Sequence, residues 1–307
     1  MNHYRSLNSF LQEQFGEKVY KIALDGGFTC PTRDGTKGTK GCIFCEGGSG
    51  DFSVPVGDNP AEAIETAKSI VADKGANKYI AYFQSYTGTY APVDTLRSLY
   101  TQVLRHPDVV ALSIGTRPDC LDGKTISLLR ELDAIKPVWI ELGLQTIHPE
   151  TAEYIRRGYP LTVFDEAVRQ LLTAGITVVV HMIIGLPGES PEMIRRTAEY
   201  IGKSGAQGIK LQLLHVLEGT DLALEYAKGK FKALSLEEYI EILEQCLESI
   251  PPEMVVHRLT GDGAKRSLIA PLWSADKKRV LNEINRAFDR DQVIQGSRLA
   301  SAGERNI

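Results

Sequence analysis

From about residue 78 onward, short apolar runs alternate with amphipathic segments, and this alternation limits the possible folds more than any other feature. "KYIAYFQ" (78–84) reads as a strand and "VDTLRSLYTQVLRH" as a helix. "VVALSIG" (109–115) is a strand followed by a helix near "KTISLLRELDAI". "VWIELGLQ" (138–145) precedes helices around "PETAEYIRRG" and "TVFDEAVRQLLTAG". "ITVVVHMIIG" (176–185) precedes "SPEMIRRTAEYIGKSG", and "GIKLQLLHV" (208–216) is the next strand. Near-continuous apolar strands separated by helices belong to a parallel sheet covered on its faces. With "YKIALD" (20–25) as the first strand, the pattern counts to about six β/α units. A closed barrel of this kind needs eight. The expectation is therefore α/β: an open, partial (β/α)6 parallel barrel with a C-terminal α/β extension. The extension would hold a helix ("SLEEYIEILEQCLESI"), a strand ("EMVVHRL") and a helical tail ("SADKKRVLNEINRAFDR"). The division read from this pattern is an N-terminal segment (1–19), a core (20–217) and the extension (218–307).

A chain of 307 residues buries a large core, enough for one large α/β domain or two small ones. The formal net charge of −4 gives no global basic field to advertise nucleic acid, although a local patch suffices for binding. "MNHYRSLNSFLQEQF" has no apolar signal core, and no stretch is long enough to span a bilayer. Five cysteines in such a chain point to a reducing cytoplasm, where a thiol cluster is a metal or redox site sooner than a disulfide.

Sites in parallel α/β folds gather at the carboxyl ends of the strands, and the chemically loaded residues recur there. Cys30 follows the first strand, "QSYTGT" the second and "TRPD" the third; "ELGLQ" ends the fourth, and "GLPGES" and "HVLEGT" follow the fifth and sixth. Three of the five cysteines, Cys30, Cys42 and Cys45, share one glycine-rich loop as C-x11-C-x-x-C. Three readings compete. Incidental thiols are one. Zinc is another, but it wants four protein ligands, or three and a water, and the loop holds no fourth Cys or His. The third is a [4Fe–4S] cluster held by three thiolates with one iron open. Gly35, Gly38, Gly41, Gly47, Gly48 and Gly50 would let backbone wrap closely around it.

"TCPTRDGTKGTKGCIFC" resembles the cluster loop of the radical S-adenosylmethionine (radical SAM) enzymes, in the long-gap form of the YhcC/YtqA-type family, and is more distantly similar to the elongator catalytic subunit. The resemblance runs from "YRSLNSFLQEQFGEKVYKI" to about "HRLTGD". It implies that Cys30, Cys42 and Cys45 hold a [4Fe–4S] cluster, with Phe44 in the aromatic place before the last cysteine, and that S-adenosylmethionine is the second cofactor. It further implies that Gln84, Ser85, Tyr86 and Thr87 meet the methionyl amino group. Gln145 would bind the ribose or methionyl end, Arg157 the cofactor carboxylate, His181 the ribose and Ile183 the adenine, with Gly185 and Gly188 letting the backbone pass close.

The implied chemistry is reductive cleavage of S-adenosylmethionine to a 5′-deoxyadenosyl radical that removes hydrogen from a substrate carbon. An electron donor such as a flavodoxin or ferredoxin, and no membrane, goes with it. The implied substrate is tRNA, at a wobble uridine whose carboxymethylaminomethyl group is converted towards aminomethyl. Lys37 and Lys40 are candidate phosphate contacts, and Tyr86, Tyr90, Tyr159 and Trp273 candidate base-stacking rings. The alternatives are a radical SAM enzyme acting on a small or porphyrin-like molecule, or a non-catalytic Fe–S or zinc RNA-binding protein. Glu141, a carboxylate inside an apolar strand, needs a partner there; substrate binding, Arg157 or a polar barrel lumen would each supply one.

Overall fold

The structure, a computed structural model, describes residues 3–47, 53–261 and 266–299; Gly48 and Gly50 of the cysteine loop lie outside the described residues. The chain opens with helix α1 (Leu7–Phe15) and strand β1 (Val19–Asp25). A two-residue strand β2 (Val54–Pro55) and helix α2 (Pro60–Ile70) lead to the repeating part. There β3 (Lys78–Phe83), α3 (Val93–Leu104), β4 (Val109–Thr116), α4 (Gly123–Asp133) and β5 (Val138–Gln145) follow in turn. Next come α5 (Pro149–Tyr154), α6 (Leu161–Thr173), β6 (Thr177–Ile184), α7 (Pro191–Lys203) and β7 (Gly208–Leu213). The remainder is β8 (Val216–Leu217), α8 (Asp221–Ala227), α9 (Leu236–Glu248), β9 (Val255–Arg258), β10 (Leu268–Ala270) and α10 (Lys277–Asp291).

Eight strands form one parallel sheet in the order β2-β1-β3-β4-β5-β6-β7-β9, an open, curled half-barrel with helices outside. The six long strands are the ones the alternation marks. Two details differ from the sequence reading. "EMVVHRL" does not stay in a separate extension: β9 pairs in parallel with β7 and continues the sheet. The strand read as 208–216 ends at Leu213, and Val216–Leu217 pairs antiparallel with β10 in a small second sheet.

Side chains alternate across each strand, and here the two faces differ in kind. The outward face is apolar: Leu112, Ile140, Val178 and Ile209 are fully buried beneath the helices. Each such side chain contributes about 1.5–3 kcal/mol by leaving water. The inward face carries the other parity and is layered. At the amino-terminal mouth, Val19, Ile80, Ala111 and Trp139 form an apolar tier with Leu11 of α1, and Phe10 lies 6.1 Å from the Trp139 ring. Helix α1 thus seals that mouth. Ser6 caps it by accepting from the Ser9 amide, and Gly16 ends it at φ 70°. One step up, the inward residues are Lys21, Tyr82, Ser113, Glu141, His181 and Lys210.

Candidate functional site

The loop after β1 carries the three thiols to the carboxyl edge of the sheet. Its turns are local: Arg33 and Asp34 amides donate to the Cys30 carbonyl, and the Cys45 amide to that of Cys42. The segment between is tied down on both sides, since the Ile43 amide donates to the Ile155 carbonyl and the Leu222 amide to the Ile43 carbonyl. Gly41 is needed as glycine: φ is +69°, and a Cβ there would lie 2.7 Å from the Arg33 guanidinium. That guanidinium donates to the Cys45 carbonyl at 2.5 Å.

The electrostatics suit thiolate ligands. Arg33 faces Cys45 and Cys30, and Arg117 faces Cys30 and Cys42. Burial, with the neighbouring Cys45 and Cys30, pushes the Cys42 thiol up to about 12, while the two guanidiniums pull the other way. Cys42 therefore holds its proton until a metal displaces it. Arg117, 9% exposed, is bound through two nitrogens to Asp119 at 2.9 Å. Burial works against its charge, but Asp119 outweighs it and raises the pKa. Among the described residues, the only three His, Cys, Asp or Glu side chains whose ligand atoms all lie within 4.8 Å are Glu65, His106 and Asp108. Lys68 already bridges Glu65 and Asp108. The three sulfurs thus spread wider than one ion with metal–sulfur bonds of about 2.3 Å would gather them. Three sulfur donors, wide spacing and two facing cations fit a multinuclear cluster. The structure also brings Cys120 to this side, close enough for Cys30 to act on it electrostatically. Sequence distance concealed that proximity. Cys246 is buried in the α9 core, away from the site.

The other residues named from the sequence divide into two groups. Phe44 and Ile183 pack in one apolar cluster with Ile43, Ile155 and Leu186, beside the thiols. Gln84 donates to Ser53 at 3.3 Å, Ser85 is buried, and the Tyr86 hydroxyl donates to the Gly47 carbonyl at 2.7 Å. Thr87 is fully buried, and its hydroxyl has no partner among the described residues. Gln145 ends β5 at φ 64°, its amide folded over Gly143. Of four non-glycine residues with positive φ among those described, Tyr86, Gln145 and Arg156 lie here, the concentration of backbone strain common at functional sites.

Arg157 and His181 point elsewhere. The Arg157 guanidinium is buried and donates to the carbonyls of Leu144 (3.1 Å), Thr146 (2.5 Å) and Tyr159 (3.1 Å). It clamps the end of β5 that presents Gln145. His181 turns into the lumen and donates Nε2–H to Glu141 Oε2 at 2.6 Å. Burial and the Lys210 charge lower its pKa to about 4, so it is neutral. Lys37, with 40% of its side chain exposed, pairs with Asp119 at 2.5 Å. Tyr159 and Trp273 are packing residues: the Tyr159 hydroxyl donates to the Gly143 carbonyl, and the Trp273 indole donates to the Leu234 carbonyl at 2.9 Å.

Glu141 finds its partners in the lumen and has no bond to Arg157. It accepts from Lys21 (2.5 Å), Ser113 (2.6 Å) and His181, and pairs with Lys210. Burial opposes its charge, but Lys21 and Lys210 outweigh it and hold the carboxyl well below the usual range.

The radical SAM superfamily profile matches residues 35–201, and that of the radical SAM C-terminal domain matches residues 206–290. The Bacillus subtilis (strain 168) protein YtqA is 45% identical over 295 residues, covering 95% of this chain and 92% of that protein. A tRNA uridine(34) acetyltransferase of Methanocaldococcus jannaschii is 31% identical over 156 residues, 50% of this chain and 28% of that protein. Among solved structures, the archaeal Methanocaldococcus infernus Elp3, lacking its N-terminus, superposes with a TM-score of 0.70 at 19% identity. That match covers 90% of this chain and 64% of Elp3 and speaks to fold.

Proposed function

From the premise that the chain belongs to the radical SAM superfamily, we propose that it modifies the side chain of a wobble uridine in tRNA, converting carboxymethylaminomethyl-uridine towards aminomethyl-uridine. The observation that carries this reading is three thiols, faced by Arg33 and Arg117, at the carboxyl edge of a parallel sheet with a polar lumen. Cys30, Cys42 and Cys45 would hold the cluster, which with S-adenosylmethionine would supply one-electron chemistry that yields a carbon-centred radical able to remove a hydrogen atom. An external donor such as a flavodoxin or ferredoxin provides the electron.

The chain's own residues bind and orient. Gln145, Ile183 and the edge from Gln84 to Thr87 surround the position beside the thiols where S-adenosylmethionine would lie. Arg157 fixes the carbonyls that define the Gln145 turn. The apolar tier under α1 excludes water from below, and a substrate group that enters from the cysteine side would be held near the reacting carbon. The tRNA assignment is supported by the partial likeness to a protein named for acting on tRNA uridine 34. The test is nucleoside analysis of tRNA from a strain lacking the gene, complemented with the parent or with Cys42→Ala. The carboxymethylaminomethyl nucleoside should accumulate without the gene and with Cys42→Ala. Unchanged nucleosides in both strains would move the small-molecule reading ahead.

A further inference from the structure

Helix α8 lies directly against the cysteine loop, and two links join them. The Leu222 amide donates to the Ile43 carbonyl at 3.0 Å, and Ile43 stands between Cys42 and Cys45. The Arg156 guanidinium donates to Asp221 at 2.6 Å, and the carbonyl oxygen of the same arginine lies 3.9 Å from the Cys42 sulfur. The inner face of the helix buries Leu222 and Ala223 in one apolar cluster with Ile43 and Ile155. From the α8 backbone to the residue beside Cys42, the path therefore crosses a single hydrogen bond.

The outer face of the helix is turned to solvent. Leu224 is 59% exposed, and Lys228, four residues on, shares its side of the helix. Beyond the turn, the Phe231 ring packs on that of Tyr226 with centroids 5.5 Å apart, and both rings are half-buried against the apolar cluster. Both ends of the helix carry lysines. Lys40 is exposed and acts electrostatically on Asp221 at the amino end. Lys228, Lys230 and Lys232 follow the carboxyl end and are exposed. Glu225 pairs with Lys228 and Lys230, whereas Lys40 and Lys232 form no salt bridge among the described residues. An apolar centre within a charged rim is the anatomy of a protein interface. A small patch is enough for electron-transfer encounters, which bury less than about 1,200 Å².

We propose that the outer face of α8, with Leu224 at its centre and Lys40, Lys228 and Lys232 at its rim, is the docking surface for an acidic electron-carrier protein. One electron leaves the carrier, which is oxidised, and passes to the cluster behind Ile43, which is reduced. This rests on the reading that Cys30, Cys42 and Cys45 hold a cluster, and it does not depend on what the substrate is. The lysines steer an acidic partner to the face and set its salt dependence. Leu224 favours a protein over a nucleic acid, because an apolar side chain of the partner would take it out of water, and a sugar–phosphate chain gains nothing from it.

The test titrates oxidised flavodoxin, an acidic carrier, into the anaerobically loaded full chain by calorimetry at low and at high salt. The variants are Leu224→Ser and the pair Lys228→Glu/Lys232→Glu, all at exposed positions. Parent binding should weaken with salt, and each variant should bind at least about tenfold more weakly at low salt. Reduced flavodoxin should bleach the cluster's visible absorption correspondingly more slowly in the variants. Dithionite, a small reductant that needs no docking surface, should bleach parent and variants alike. Absent or salt-independent binding to the parent, a comparison that needs no variant, would overturn the assignment. So would unchanged flavodoxin affinity in either variant, equal slowing with dithionite, or a loss of tRNA affinity with flavodoxin binding kept, which would give the face to RNA. Docking fails with iron and visible absorption intact, whereas a parent that takes up no iron would remove the cluster reading itself.

Discussion

Lys210 offers the sharpest quantitative test of the lumen. Lys21 from β1, Tyr82 from β3, Glu141 from β5, His181 from β6, and His257 and Arg258 from β9 face it. Burial lowers its pKa from 10.5 to about 7; Glu141 opposes that shift, and Lys21 and Arg258 add to it. The unfolded chain keeps this proton to about pH 10.5, while the folded chain releases it near pH 7. Folding stability therefore rises with pH across that window, by up to about 1.4 kcal/mol per pH unit, and is flat below it as far as this group is concerned. From pH 7 to 8, where the folded lysine goes from half to about one-tenth protonated, the gain is about 1 kcal/mol. Lys210→Met removes this contribution. Glu244, whose pKa burial raises to about 7 without any contribution from Lys210, cancels in the difference. Urea unfolding of parent and variant at pH 7.0, 7.5 and 8.0 (about those values), under anaerobic conditions and without added carboxylates, should show the parent gaining about 1 kcal/mol more than the variant. Parallel pH profiles would refute the view that burial holds the Lys210 pKa near 7.

The remaining predictions concern the mouth of the lumen. Single alanine variants of Cys30, Cys42 and Cys45 should each lose iron and visible absorption after anaerobic reconstitution, while Cys120→Ala and Cys246→Ala retain both; iron loss in Cys120→Ala would make it a fourth ligand. Arg117→Gln removes one of the two cations facing the thiols, so the cluster's reduction potential should move to a more negative value in protein-film voltammetry, and an unchanged potential would place that charge out of reach. Arg157→Met leaves the carbonyls of Leu144, Thr146 and Tyr159 without this donor. It should cost about 2–4 kcal/mol of stability and weaken S-adenosylmethionine binding while the cluster's absorption stays intact, as read by calorimetry and spectroscopy. Gln145→Ala should weaken the same binding with less effect on stability, because the side chain folds over Gly143 without closing a buried network.

What the sequence discloses and what it conceals follow the two faces of the sheet. The outward face is legible because every second residue is apolar whatever lies inside: Leu112, Ile140, Val178 and Ile209 mark their strands without help from the lumen. The cysteine loop is legible because its chemistry is local. The join of β9 to β7 is not, because nothing in "EMVVHRL" says which edge it meets across the intervening α8 and α9. Nor is the role of Arg157: its partners are backbone carbonyls, which carry no side-chain signature. The lumen occupies a middle ground. Glu141 stands out alone as a carboxylate in an apolar strand, while Lys21 in "YKIALD" and Lys210 in "GIKLQLL" pass for solvated charges near strand ends. Yet each has the parity opposite to the apolar face of its own strand. In a parallel barrel that parity points to one shared interior, where no single charge is stable alone. Read together, two lysines and one glutamate at inward positions define an ion set before any contact is known.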